Sequence, residues 1–140
     1  MQEMNNSATE SKLFELAASA RGKAYVPYSG FPVGAAIETV SGNYYAGCNV
    51  ENVSYPIGTC AEAGAIAAMV ACGELKIKKI LIIAGGKELI APCGACLQRI
   101  KEFSTDETEI LLATPRGIEK KFSLAQMLPF GFNNSELKHD

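Results

Sequence analysis

The chain has 140 residues, of which 48% are hydrophobic and 20% charged, and its 13 basic and 15 acidic residues leave a net charge of -2. That length suits one domain with its own core, and the acidic balance argues against the basic surface that a nucleic-acid partner requires. The absence of a long apolar run or a signal-peptide core predicts a cytoplasmic protein without a membrane partner.

The predicted elements begin after a polar tail. We expect residues 1–8 to be disordered, and Thr9 or Ser11 to cap a first helix that ends near Gly22. A loop rich in Pro and Gly follows. The segments AAIETV and YYAGCNV then flank the short turn SGN, which is typical of a β-hairpin.

Helices and strands alternate in the rest of the chain. Residues 60–72 are Ala-rich and apolar, which predicts a helix buried on most sides. KKILIIAGG predicts a strand covered on both faces, Pro92 opens a helix over 93–103, and EILLATP predicts a further strand. SLAQML is a short helix before the tail PFGFNNSEL. A hairpin followed by two βα units predicts a single α/β domain over residues 9–140 with a mixed sheet.

The cysteines suggest a metal site. Their number, five, is odd, and thiols stay reduced in the cytoplasm, so a disulfide framework is not expected. Cys93 and Cys96 lie on one face at the start of a helix, and Cys60 opens another helix. Helix N-termini stabilise thiolates, the form that binds Zn²⁺, and three ligands leave the open position of a catalytic zinc site. Glu62, two residues after Cys60, is then a candidate general base.

Other interpretations of these residues remain open. The CxxC pair could be a redox pair, Cys48 could complete a closed structural zinc site, or the cysteines could be buried and inert. Glu62 could be an acid that the helix dipole favours in the first turn.

The motifs CAE and PCGAC, in this order, resemble the signature of the zinc deaminases. YVPYSGFPVGAA, GCNVENVSYP and LPFGFNNSEL extend the resemblance, from about residue 10 to 138, to the small homotetrameric cytidine deaminases. It implies a three-layer α/β/α sandwich with a mixed five-stranded sheet. It also implies one Zn²⁺ per subunit on Cys60, Cys93 and Cys96, with Glu62 as the catalytic proton carrier. The implied reaction is hydrolytic deamination of cytidine and deoxycytidine in pyrimidine salvage.

The resemblance also implies six substrate contacts, namely Phe31, Asn49, Glu51, Tyr55, Ala61 and Phe132. Phe31 would pack against the pyrimidine ring, and Asn49 and Glu51 would bind a ribose hydroxyl. Tyr55 and Phe132 match positions that enter a neighbouring subunit's site in tetrameric relatives. Judged from the residues alone, Phe31 could instead be a core aromatic, Asn49 and Glu51 turn residues, and Phe132 an aromatic packed on its own core.

This chain departs from its relatives beside the metal motif. Three thiolates leave Zn²⁺ with a net negative charge, which weakens it as a Lewis acid. Many relatives with three cysteines offset this charge with arginines at two positions, where this chain has Ala63 and Leu97. Arg99, three residues after Cys96, is a candidate substitute or a surface arginine, and the helix N-termini could also compensate.

Two alternative functions remain beside cytidine deamination. The chain could deaminate another small aminopyrimidine or aminonucleoside. It could also be a zinc-binding domain that catalyses no reaction.

Overall fold

A computed structural model describes residues 2–137 and contains a five-stranded sheet with helices on both faces. The elements are α1 (Gln2–Arg21), β1 (Val33–Thr39), β2 (Tyr44–Cys48), a 3₁₀ turn (Tyr55–Ile57), α2 (Ala61–Ala71), β3 (Ile77–Ala84), α3 (Gly94–Glu102), β4 (Ser104–Thr114), β5 (Gly117–Ser123), α4 (Leu124–Met127) and a 3₁₀ turn (Asn134–Leu137). The strand order is β2-β1-β3-β4-β5. β3 and β4 are parallel, and the other neighbours are antiparallel.

Alternating side chains of the central strands build the two cores. On β3, Ile80 and Ile82 join the cluster that contains residues of α2, α3 and α4. Leu81 and Ile83 join a second cluster with residues of α1. Because successive side chains of a strand point to opposite faces, one apolar run serves both cores. The predicted three-layer α/β/α sandwich with a mixed five-stranded sheet is thereby confirmed.

Two glycines bring α2 unusually close to the hairpin. A Cβ on Gly47 of β2 would lie only 2.3 Å from the backbone nitrogen of Ala65 and 2.7 Å from the carbonyl oxygen of Ala61. From the other side, a Cβ on Gly64 would lie 3.5 Å from the Cα of Gly47. The helix backbone therefore rests on the strand backbone, which holds the first turn of α2 against the hairpin.

The N-terminal segment differs from the prediction of a disordered tail. Helix α1 begins at Gln2 and includes residues 2–8. Lys79 on β3 is almost fully buried and donates to Asn6 Oδ1 at 3.4 Å, which ties this segment to the sheet. The segment also lacks Pro and Gly, so nothing breaks the helix before Thr9. Met1 and residues 138–140, which belong to the predicted tail and domain, lie outside the described residues.

The residue pattern alone did not predict strand β5 (Gly117–Ser123), although the family resemblance implied a fifth strand. It is an edge strand with a polar, exposed centre, and it pairs only with β4, so its sequence lacks the apolar run of an inner strand. β4 also begins at Ser104, earlier than the apolar segment that predicted it. Among residues 2–137, no helix is long and apolar enough to cross a membrane.

Candidate active site

The start of α2 places a thiol and a carboxylate side by side. Cys60 is the N-cap, with extended dihedrals (φ -78°, ψ 158°), and its carbonyl accepts from the Gly64 N–H at 3.1 Å. Glu62 is the second residue of the helix and is 5% exposed. Side chains two apart diverge in mid-helix, but Cys60 lies outside the helical dihedrals. The two side chains can therefore line one cavity.

The start of α3 supplies the other two thiols. Cys93 is the N-cap and Cys96 is the third helical residue. The backbone N–H groups of Cys96 and Ala95 point toward the Cys93 sulfur without closing a capping hydrogen bond, and they lower the pKa of Cys93. Cys96 is 1% exposed. Burial, followed by the neighbouring Glu62 and Cys60, raises the pKa of Cys96. The helix N-terminus thus favours one thiolate of the pair, while burial opposes the other.

All three thiols and Glu62 line one cavity of about 310 Å³ between the two helix N-termini. Asn49, Glu51, Tyr55 and Ala61 also line it, whereas Cys48 is not among the described lining residues. A closed four-ligand site with Cys48 therefore gains no support. The five cysteines are free thiols.

The donor set suits Zn²⁺ by its chemistry, because sulfur ligands at helix N-termini are those that zinc favours. Across the described part of the chain, no three His, Cys, Asp or Glu side chains already stand in a metal-holding arrangement. The thiols share the cavity wall without forming a closed cage. Side-chain rotations would therefore have to bring the sulfurs together on an ion.

Asn49 and Glu51 line the same cavity, and both form hydrogen bonds with the preceding loop. Asn49 Oδ1 accepts from the Val33 N–H at 2.9 Å, and Asn49 Nδ2 donates to the Phe31 carbonyl at 2.9 Å. Each of these groups can form a further hydrogen bond. Glu51 Oε1 accepts from two backbone N–H groups of the loop at 3.0 and 3.1 Å. These residues thus shape the loop and still offer groups to a ligand.

Sequence reasoning missed the residues that hold Glu51 in place. The donors are the backbone N–H groups of Tyr28 and Ser29, and hydrogen bonds with Ser29, followed by Tyr28, lower the pKa of Glu51. Pro27 and Gly30 beside them marked an ordered loop. They gave no sign of the carboxylate that the loop would bind, since Glu51 lies more than twenty residues away in sequence.

The three predicted aromatic contacts lie in different places. Phe31 is 38% exposed on the loop next to Asn49, and its side chain is not part of the described cavity lining. Tyr55 lines the cavity, is 73% exposed, and its ring centroid lies 5.5 Å from that of Tyr28. Phe132 is not among the lining residues of this cavity and lines a larger one of about 500 Å³ beside α4 and the C-terminal end of α3. Gln98 holds its backbone through two hydrogen bonds of 2.7 and 3.1 Å.

Comparisons with known proteins agree with this geometry. A family model described as the cytidine and deoxycytidylate deaminase zinc-binding region matches residues 7–112. A cytidine deaminase of Sporosarcina psychrophila is 38% identical over 128 residues, covering 91% of this chain and 94% of that protein. One of Halalkalibacterium halodurans is 34% identical over 125 residues, covering 89% and 95%. The crystal structure of cytidine deaminase from Burkholderia pseudomallei has a TM-score of 0.82 and 40% identity, covering 87% of this chain and 98% of that one. The chain therefore belongs to the cytidine and deoxycytidylate deaminase family.

Proposed function

We propose that the protein deaminates cytidine and deoxycytidine hydrolytically, giving uridine or deoxyuridine and ammonia. One observation carries this proposal: three thiols and a buried carboxylate from two helix N-termini share a cavity with Asn49 and Glu51. Thiols alone would suit a structural metal site. A carboxylate in the same cavity as those thiols, together with polar groups that could bind a sugar, suits catalysis on a nucleoside.

Cys60, Cys93 and Cys96 are the residues that would hold the ion, one Zn²⁺ per subunit. The N–H groups that point at Cys93 support its role, because they favour the thiolate. Bound zinc would supply Lewis-acid activation of water near neutral pH. Free cysteines are typical of a reducing compartment, and we accordingly place the protein in the cytoplasm.

Glu62 carries the protons in the proposed reaction. Its carboxylate takes a proton from the attacking water and delivers it to N3 of the pyrimidine, which makes C4 a better electrophile. A C4–O bond forms, and Glu62 then takes the proton of the new C4 hydroxyl and gives it to the exocyclic nitrogen. The bond from C4 to that nitrogen breaks, so that ammonia departs and the C4 oxygen becomes a carbonyl. Its burial supports this role, because a carboxylate shielded from bulk water exchanges protons with the substrate instead of with solvent.

Asn49 and Glu51 would bind the sugar, while Phe31 would pack on the ring and Ala61 would contact the substrate beside the thiols. The free hydrogen-bonding capacity of Asn49 supports a sugar contact. A base without its sugar would leave desolvated polar groups unpaired, at about 1–3 kcal/mol for each group. The proposed site therefore selects nucleosides over free cytosine.

Tyr55 and Phe132 would complete the site of a neighbouring subunit in a homotetramer, and Tyr55, which is 73% exposed, would also line the cavity of its own chain. Phe132 is 58% exposed and lies away from its own chain's cavity. Gln98 nevertheless holds its backbone in a defined position. An exposed aromatic on an ordered segment suits a contact with another copy of the chain.

The test is to incubate the zinc-loaded protein with cytidine and follow the fall in ultraviolet absorbance together with ammonia release. We expect turnover of cytidine and deoxycytidine and much slower turnover of cytosine. Turnover of another aminopyrimidine or aminonucleoside, but not of cytidine, would reassign the substrate. A zinc-loaded protein inert toward all of these amines would indicate a non-enzymatic zinc-binding domain.

A further inference from the structure

The candidate active site gathers acidic groups without a cation in its lining. Three thiols and two carboxylates, Glu51 and Glu62, line the cavity, and no lysine, arginine or histidine occurs among its described lining residues. Like charges at close range repel strongly where water is scarce. Ala63 and Leu97, next to the metal motif, provide no charge, and Leu97 is packed into the core instead.

Arg99 is the cation that reaches a thiol. Its Nη1 donates to Cys96 Sγ at 3.7 Å. Within residues 2–137, this is the cationic side chain that forms a hydrogen bond with one of the three cavity thiols. The contact follows from helix geometry, because residues three apart share a face and a helical side chain leans toward the N-terminus.

The position of Cys96 makes this contact important. Cys96 is the most buried of the three thiols, so water can do little to stabilise negative charge on its sulfur. Arg99 reaches that sulfur from the exposed side of α3. A guanidinium carries a delocalised positive charge on a planar group with five N–H donors, so it can bind the sulfur and solvent together.

We propose that Arg99 is a positioning residue for the metal site, where it offsets negative charge at Cys96 and slows the loss of zinc. This inference rests on the proposed function only in taking Cys60, Cys93 and Cys96 as the zinc ligands. Arg99 is not among the described lining residues of the cavity. Its effect passes through a ligand, as hydrogen bonds to metal ligands commonly do.

A simpler explanation for the presence of Arg99 is its position in the last turn of α3, which contains two basic residues. Cations there interact favourably with the helix dipole whether or not they contact a thiol. Lys101 is the other basic residue, and no hydrogen bond joins it to a thiol among the described contacts. Lys101→Gln is therefore the matched control for Arg99→Gln. Both changes remove one charge from the same turn, and Gln has nearly the same helix propensity as Arg and Lys.

The experiment measures zinc release from the full-length, zinc-loaded protein into an excess of a chromophoric chelator at neutral pH. We expect Arg99→Gln to release zinc about tenfold faster than the wild type, and Lys101→Gln to match the wild type within about twofold. Arg99→Lys keeps the positive charge but loses the planar set of guanidinium donors, so its release rate should lie between those of Arg99→Gln and the wild type. In about 1 M salt, where the Debye length falls to about 3 Å, the difference between the wild type and Arg99→Gln should shrink.

Equal release rates for Arg99→Gln and Lys101→Gln would overturn the proposal, and so would an Arg99→Lys rate as fast as that of Arg99→Gln. If Arg99→Gln failed to fold by circular dichroism, Arg99→Lys would decide alone, and a rate equal to the wild type would count against the proposal. The assay uses no nucleoside. A wild type that binds zinc but leaves cytidine unchanged would refute the proposed function and leave the result for Arg99 intact.

Discussion

A methyl group added at Gly47 tests how closely β2 holds α2. The Cβ of Gly47→Ala would lie 2.3 Å from the backbone nitrogen of Ala65 and 2.7 Å from the carbonyl oxygen of Ala61. Non-bonded heavy atoms normally lie about 3.5 Å apart or more, so strand and helix must separate by about 1 Å. Overpacking costs about 1–3 kcal/mol. We expect the upper half of that range, because backbone atoms cannot rotate away as a side chain can.

Gly64→Ala is the matched control on the opposite side of the same contact. Its Cβ would lie 3.5 Å from the Cα of Gly47, an ordinary contact, and replacing a helical glycine by alanine gains about 0.5–1 kcal/mol. For a chain of this size, 1 kcal/mol shifts Tm by about 3–4 °C. We therefore expect Gly47→Ala to lower Tm by about 6–12 °C and Gly64→Ala to raise it by about 2–4 °C, measured at one protein concentration.

The same displacement should reach the active site, because Cys60 and Glu62 lie at the start of α2. A misplacement of about 1 Å can cost about 100-fold in rate. Well below its Tm, Gly47→Ala should lose cytidine turnover to that extent, whereas Gly64→Ala should retain it. Equal Tm values for Gly47→Ala and the wild type would refute this reasoning. So would an equal loss of stability in Gly64→Ala.

Two further predictions concern the substrate site. Hydrogen bonds with Ser29, followed by Tyr28, lower the pKa of Glu51 below the ordinary carboxyl value of 4.5. The stabilisation that the ionised Glu51 gives to the loop is therefore complete above pH 4.5 and is lost as the pH falls through the lowered pKa. KM for cytidine should therefore rise at acid pH in the wild type and be high and nearly independent of pH in Glu51→Gln; parallel pH profiles would contradict this assignment. If subunits share sites, inactive Phe132→Ala and Glu62→Gln proteins should regain activity after denaturation and refolding together, because a subunit with Glu62 then receives Phe132 from its neighbour. Activity no greater than that of the separate proteins would exclude the shared site.

The sequence predicted best what is decided locally. Cys60 and Cys93 were placed at helix starts, and both are N-caps, because a helix end is encoded by the few residues around it. The apolar run of β3 predicted a strand buried on both faces, because a continuous run of apolar residues places them on both sides of a strand. Strand β5 was missed because an edge strand needs no continuous apolar run.

Long-range contacts could not be derived from the sequence. The helical segment 2–8 contacts the sheet through Lys79 of β3, which lies more than seventy residues from Asn6 in sequence. From the sequence, Arg99 was a surface arginine or a candidate substitute for the missing arginines, and in the structure it is an exposed residue whose guanidinium donates to Cys96 Sγ. The roles assigned to Phe31 and Phe132 stay predictions, since a single chain without substrate tests neither of them.

The most direct test of the account is Glu62→Gln, measured for zinc content and cytidine turnover in the same preparation. Glutamine keeps the shape of the side chain and removes its ability to carry a proton. The account predicts zinc at the wild-type level and a fall in kcat of at least about 100-fold, the scale of general acid–base catalysis. Turnover within a few-fold of the wild type, with zinc still bound, would contradict the claim that Glu62 carries the protons of the reaction.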